Sequence, residues 1–191
     1  MIERFGVQLP EAKDLPALPR GVVLHWTGGG HRANAVDLAA YHYVVEFDGR
    51  VKAGVPVELN MRSLKNGDRY AMHTGGWNSY RIGIAAAGML GYKSPSAVGP
   101  APLKLVQMRR MMELAAYFVE LGGLDPLNPR HLCTHLEVWT LHGIKGAQNH
   151  QKTDIEHLPF RPEIKPDAVG YYLRGMASDR LEDRRLKRLN Q

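Results

Sequence analysis

Residues 21–31 read GVVLHWTGGGH: a β-branched apolar run, a histidine where the run ends, then Trp-Thr and three glycines. Six such residues suit a buried strand. A histidine at the mouth of that strand stands where side chains from neighbouring strands can converge at one sheet edge. The stretch HLCTH at 131–135 repeats the design, so His25 and His135 are predicted to end two strands of one sheet. Each has a threonine close by, a candidate hydrogen-bond partner for an imidazole held in one orientation.

Working outward, ANAVDLAAY at 33–41 suits a short helix ending near Tyr41. It is followed by YVVEF and RVKAG, two extended segments joined through Asp48-Gly49, a strong hairpin signal. RIGIAAA at 81–87 reads as another central strand, and 88–102 as a loop rich in Gly, Pro and Ser. Leu103 to Leu121 gives the clearest helix, with Leu105, Met108, Met112, Ala115 and Val119 on one side and Gly122-Gly123 as its stop. Strands and helices alternate around one hairpin, so the expected fold class is α/β, a mixed central β-sheet flanked by helices. The expected division is an extended lead-in over 1–20, a catalytic domain over 21–165 and a basic helical tail over 166–191.

The chain has 191 residues, 44% of them hydrophobic, enough for one core and short for two domains. No apolar run approaches the ~18 residues a membrane span needs. The N-terminal MIERFGVQLPEAKD lacks the apolar stretch of a secretory signal, so the chain is expected to be made in the cytoplasm without one. Cys133 is the single cysteine, which excludes an intramolecular disulfide and an all-cysteine metal site. The net charge of +6 favours encounter with polyanions without selecting among them. No nucleic-acid-binding motif accompanies it, and no specific nucleic acid is expected as a partner.

A third metal ligand to join His25 and His135 is offered by Asp154 in QKTDIEHLPF, residues 151–160. Two imidazoles and one carboxylate form a tripod that leaves a fourth position open, the arrangement of catalytic zinc. His142, His150 and His157 could in principle build a second site, but no carboxylate completes their set. His42 and His131 read as structural. Trp77 and Trp139 could stack on a sugar face or serve the core.

HWTGGG at 25–30, YHYVVEFDGRVKAG at 41–54, MHTGGWNSYRIGIAAAG at 72–88, THLEVW at 134–139 and QKTD with LPF at 151–160 occur in the order seen in zinc-dependent N-acetylmuramoyl-L-alanine amidases. The chain resembles this superfamily over roughly residues 20–162, and most resembles its phage endolysins. The resemblance implies one Zn2+ held by His25, His135 and Asp154, and hydrolysis of the amide between N-acetylmuramic acid and L-alanine in peptidoglycan. It implies catalytic roles for Lys152, facing the reacting centre, and for Tyr41, which would orient water or shuttle a proton. Without the resemblance, Tyr41 reads equally as an aromatic capping the core. His73 and Asn78, with Trp77, would line the substrate groove. Where cytoplasmic anhydromuropeptide amidases carry a catalytic glutamate, this chain has Ala85, which favours intact wall as substrate. A recycling amidase and a non-catalytic peptidoglycan-binding module are the alternatives. An endolysin would reach the wall through a holin or a similar route.

The tail SDRLEDRRLKRLNQ packs Arg180, Arg184, Arg185, Lys187 and Arg188 close together. It reads either as a solvated helix with internal ion pairs or as a surface for anionic envelope polymers. A monomer is expected.

Overall fold

The computed structural model describes residues 1–144 and 154–189. Two strands, β1 (Ile2–Arg4) and β2 (Val7–Leu9), pair as a small antiparallel hairpin where an extended lead-in was expected. Gly6 supplies the positive φ of the turn, and Phe5 shares it. The remaining strands are β3 (Gly21–Trp26), β4 (Tyr43–Val45), β5 (Val51–Ala53), β6 (Arg81–Ala86) and β7 (Leu132–Thr134), in one sheet of order β5-β4-β6-β3-β7. β5 runs antiparallel to β4, and the other pairings are parallel. The sheet is therefore mixed, as the alternation of elements predicts. The β4–β5 connection is wider than Asp48-Gly49 alone: it spans residues 46–50, with Gly49 at φ +84°.

The helices are α1 (Ala35–Ala40), α2 (Leu105–Leu121), α3 (His135–Thr140) and α4 (Pro166–Leu189). Asn34 caps α1 by accepting from the Val36 and Asp37 amides, and the helix stops at Tyr41, whose φ of −118° is extended. α2 carries Met108, Met111, Met112, Ala115, Phe118 and Val119 into the core on the face expected from its spacing. Its buried Gln107 donates to the carbonyls of Val45 and Ala87, which fixes the helix against the ends of two strands.

Alternation along β3 sorts its side chains between two faces. Val22, Leu24 and Trp26 enter the main core with α2 and α4, whereas Val23 joins a smaller cluster with Cys133 and Val138. His25 shares the parity of Val23, so it stands on the face away from α2. α4 is a full layer of the molecule: it packs along α2 and buries Val169, Leu173, Ala177 and Leu181. Of the tail's basic residues, Arg184 and Arg188 pair with Glu120, each at 2.9 Å, and Arg180 pairs with Asp183. Among the described residues, no helix is long and apolar enough to cross a membrane.

A candidate metal site at the sheet edge

Three segments distant in sequence bring His25, His135 and Asp154 together, with a donor atom of each within 4.8 Å of the others. His25 Nδ1 lies 3.0 Å from Asp154 Oδ2, and His135 Nδ1 lies 3.3 Å from Asp154 Oδ1. All three residues are buried. Donors around a tetrahedral zinc at ligand distances of about 2.1 Å stand about 3.4 Å apart, close to the spacing of each histidine from the carboxylate. Burial by itself raises the Asp154 carboxyl, but hydrogen bonds from His135 and His25, with their positive charge, hold it well below the usual carboxylate range. It is therefore an anion at neutral pH, as a ligand must be.

The two histidines arrive differently. His25 lies within β3, in register with Ala85 of β6. His135 does not end a strand, as the sequence suggested: it is the first residue of α3. Thr134 is that helix's N-cap, its hydroxyl accepting from the Glu137 amide while Glu137 Oε2 accepts from the Thr134 amide. This reciprocal pair is a capping box, and THLE at 134–137 is its signature. The helix starts there because those side chains satisfy its first amides.

The threonine that supports an imidazole is also not the expected one. Thr27 accepts from the amides of Gly29 and Gly88, and Thr134 caps α3. His25 Nε2 instead lies 3.4 Å from the Thr74 hydroxyl and 3.3 Å from His73 Nδ1. Were Nδ1 to ligate a metal, its lone pair would face the ion and Nε2 would carry the proton and donate to this pair. His73 Nδ1 is 2.8 Å from the Thr74 hydroxyl, and burial with the nearby charge of His25 keeps His73 neutral. Its ring lies over β6 at Gly83, where a Cβ would fall 2.4 Å from His73 Cγ. His73 thus sits against a candidate ligand, deeper than a groove-lining position implies. Sequence adjacency pointed to Thr27 and Thr134, whereas the contact to Thr74 is made across the sheet.

Tyr41 stands beside His25 with ring centroids 5.1 Å apart. Burial, then the charges of Asp154 and Asp37, raises its hydroxyl far above the ordinary phenol value, so it stays protonated and able to donate. Asn78 accepts from the Thr74 amide and is committed to the turn at 74–78. The Trp77 ring lies against Arg81, at 3.6 Å, and His142, at 4.8 Å. Lys152 and His150 lie outside the described residues. His142 bonds the Pro129 carbonyl and His157 stacks near Tyr92, so they do not meet. Among the described residues the His25, His135 and Asp154 group is the one cluster suited to a metal. Burial pushes the Cys133 thiol up to about 12, which leaves it inert inside β7.

Two imidazoles and a carboxylate buried together at the edge of a mixed α/β sheet are a donor set from which metal-assisted hydrolases are built. The sequence pattern of the N-acetylmuramoyl-L-alanine amidases matches residues 15–156, most of the chain, and the protein belongs to that family. It is a hydrolase of the amidase class. Its fold is similar to Staphylococcus aureus hydrolase AmiA, solved in complex with its ligand, at 16% identity and TM-score 0.50 over 86% of this chain and 73% of that one. It also aligns with the Ph2119 endolysin from a Thermus scotoductus MAT2119 bacteriophage (20% identity, TM-score 0.48, 86% of each chain). A third alignment is with the amidase LysC from Clostridium intestinale URNW (19%, TM-score 0.45, 69% of this chain and 81% of that one). A comparison with curated proteins found no match.

Proposed function

We propose that this amidase is zinc-dependent and cuts the amide between N-acetylmuramic acid and L-alanine in intact bacterial wall, in the manner of an endolysin. The observation that carries the reading is the buried convergence of His25, His135 and Asp154. Zinc bound there would acidify a water and polarise the scissile carbonyl. The chain's own residues then have defined tasks. Asp154 and the Nδ1 atoms of both histidines would hold the ion, and Thr74 with His73 fixes the tautomer and orientation of His25. The protonated hydroxyl of Tyr41, whose ring stands beside His25, would orient the attacking water or pass a proton toward the leaving amine. Lys152, by its resemblance to the family's lysine, stabilises the charge that develops on the carbonyl oxygen.

Ala85 supports wall over recycled anhydromuropeptides: it is the register partner of His25, so a carboxylate there would stand beside the site, and this chain has a methyl group. Three filled ligand positions favour catalysis over binding alone. A monomer released to the wall by a holin-like route completes the proposal. The exposed Arg185 and Lys187 of α4 would contact anionic envelope polymers.

The test is mass analysis of purified peptidoglycan digested with the protein, with chelator, and with zinc restored. Stem peptides with a free L-alanine amino group, lost on chelation and regained with zinc, are expected. Wall left intact by folded, zinc-loaded protein would refute the hydrolytic reading.

A further inference from the structure

α4 lies beyond residues 15–156, the stretch matched to the family, yet it reaches toward the candidate metal site through a buried ion pair. Glu137, two residues after His135, points its carboxylate at α4. Arg174 Nη1 donates to both carboxylate oxygens at 2.8 Å, and to the Leu132 carbonyl at 3.2 Å. Both side chains are buried, each about 8% exposed. One turn earlier on α4 stands Gly170, where a Cβ would fall 2.2 Å from the Glu137 carboxyl carbon. Glycine is a poor helix former, and at this position its missing side chain is the space that Glu137 occupies.

The contact matters because of what the first turn of α3 holds. His135 opens that turn, and the next amide, Leu136 N–H, donates to the Asp154 carbonyl at 2.9 Å. Two of the three candidate ligands thus depend on the placement of one short helix. A helix of six residues has little stability of its own. A buried ion pair is seldom more stabilising than apolar side chains of the same volume, so its presence calls for a role in geometry.

We propose that Arg174, seated on Glu137 through the gap at Gly170, is a positioning residue for the metal site: it fixes α3 and, through it, the spacing of His135 and Asp154. The proposal rests on the metal-site reading above. Removing supporting partners of this kind lowers metal affinity by about 10- to 100-fold.

The experiment measures zinc affinity on the full metal-free chain by competition with a chromogenic chelator, alongside Tm. The variants are Arg174→Met, Arg174→Lys, the double variant Glu137→Gln with Arg174→Met, and Leu181→Ala, which loosens α4 on α2 away from α3. The Glu137→Gln change retains a side-chain oxygen for the capping box, so the double variant keeps the start of α3 while removing the ion pair and the bond to the Leu132 carbonyl. Arg174→Met should weaken zinc binding about 10- to 100-fold, and Arg174→Lys should recover part of it. The double variant should regain Tm but not zinc affinity, and it carries the test should Arg174→Met fail to fold. Leu181→Ala should lose Tm and bind zinc as the parent does. Zinc affinity that follows Tm across the set, or returns in the double variant, would overturn the positioning role. A parent chain that binds zinc no better than its Asp154→Asn variant would instead remove the metal site, and the proposal with it.

Discussion

At the scale of single residues, the site is built from side chains whose protonation is set by burial. Tyr41 is the sharpest case: its hydroxyl is held in the protonated form beside a candidate ligand while its ring packs against Val44, Ala85 and Ala87. Tyr41→Phe keeps the packing and deletes the hydroxyl, so kcat should fall by roughly 10²- to 10⁴-fold while zinc affinity and Tm stay unchanged. Activity equal to that of the parent would leave Tyr41 with a packing role only. His25, His135 and Asp154 were legible because two histidines close short apolar runs and the family motifs supply the third position. Thr74 was not: it lies 49 residues from its partner His25, and nothing in a linear reading ranks it above the threonines next to the ligands.

At the scale of elements, β3, β6 and α2 were readable from pattern alone, since short, largely apolar runs and a 17-residue amphipathic run leave few alternatives. β7 was readable too, but a six-residue helix is too short for its hydrophobic period to mark the start of α3 at His135, and the signal that does mark it is the capping box THLE. The C-terminal run was harder: Leu181, Leu186 and Leu189 make only a partial stripe, and the residues that anchor α4 lie upstream, at Val169, Leu173 and Ala177. Its charges divide accordingly, with Arg184 and Arg188 spent on Glu120 and Arg185 and Lys187 exposed. Replacing the latter two by glutamate should leave cleavage of purified wall unchanged and lower activity on whole cells, with the difference fading at high salt. Equal losses on both substrates would exclude envelope contact.

At the scale of the whole molecule, acid sensitivity should reflect buried neutral histidine. His42 accepts from the Gly83 amide through Nδ1 and lies over His73, and burial depresses it to about 4. A histidine depressed in the fold binds its proton more readily when unfolded, so its contribution is complete above the unfolded value near 6.5 and shrinks as pH falls toward 4. The loss is on the order of 3 kcal/mol at its largest. His42→Asn, whose Oδ1 can accept from Gly83, should flatten the fall in Tm between pH 7 and 4.5 in metal-free protein; an unchanged slope would assign the acid loss elsewhere. The contact from Arg174 to the Leu132 carbonyl has a further consequence for the molecule at large. β7 is an outer strand of the sheet, and a bare outer strand offers its carbonyls to the backbone of any other chain. A buried guanidinium capping one of them, on a helix that packs against β7, guards that rim of the sheet against strand addition.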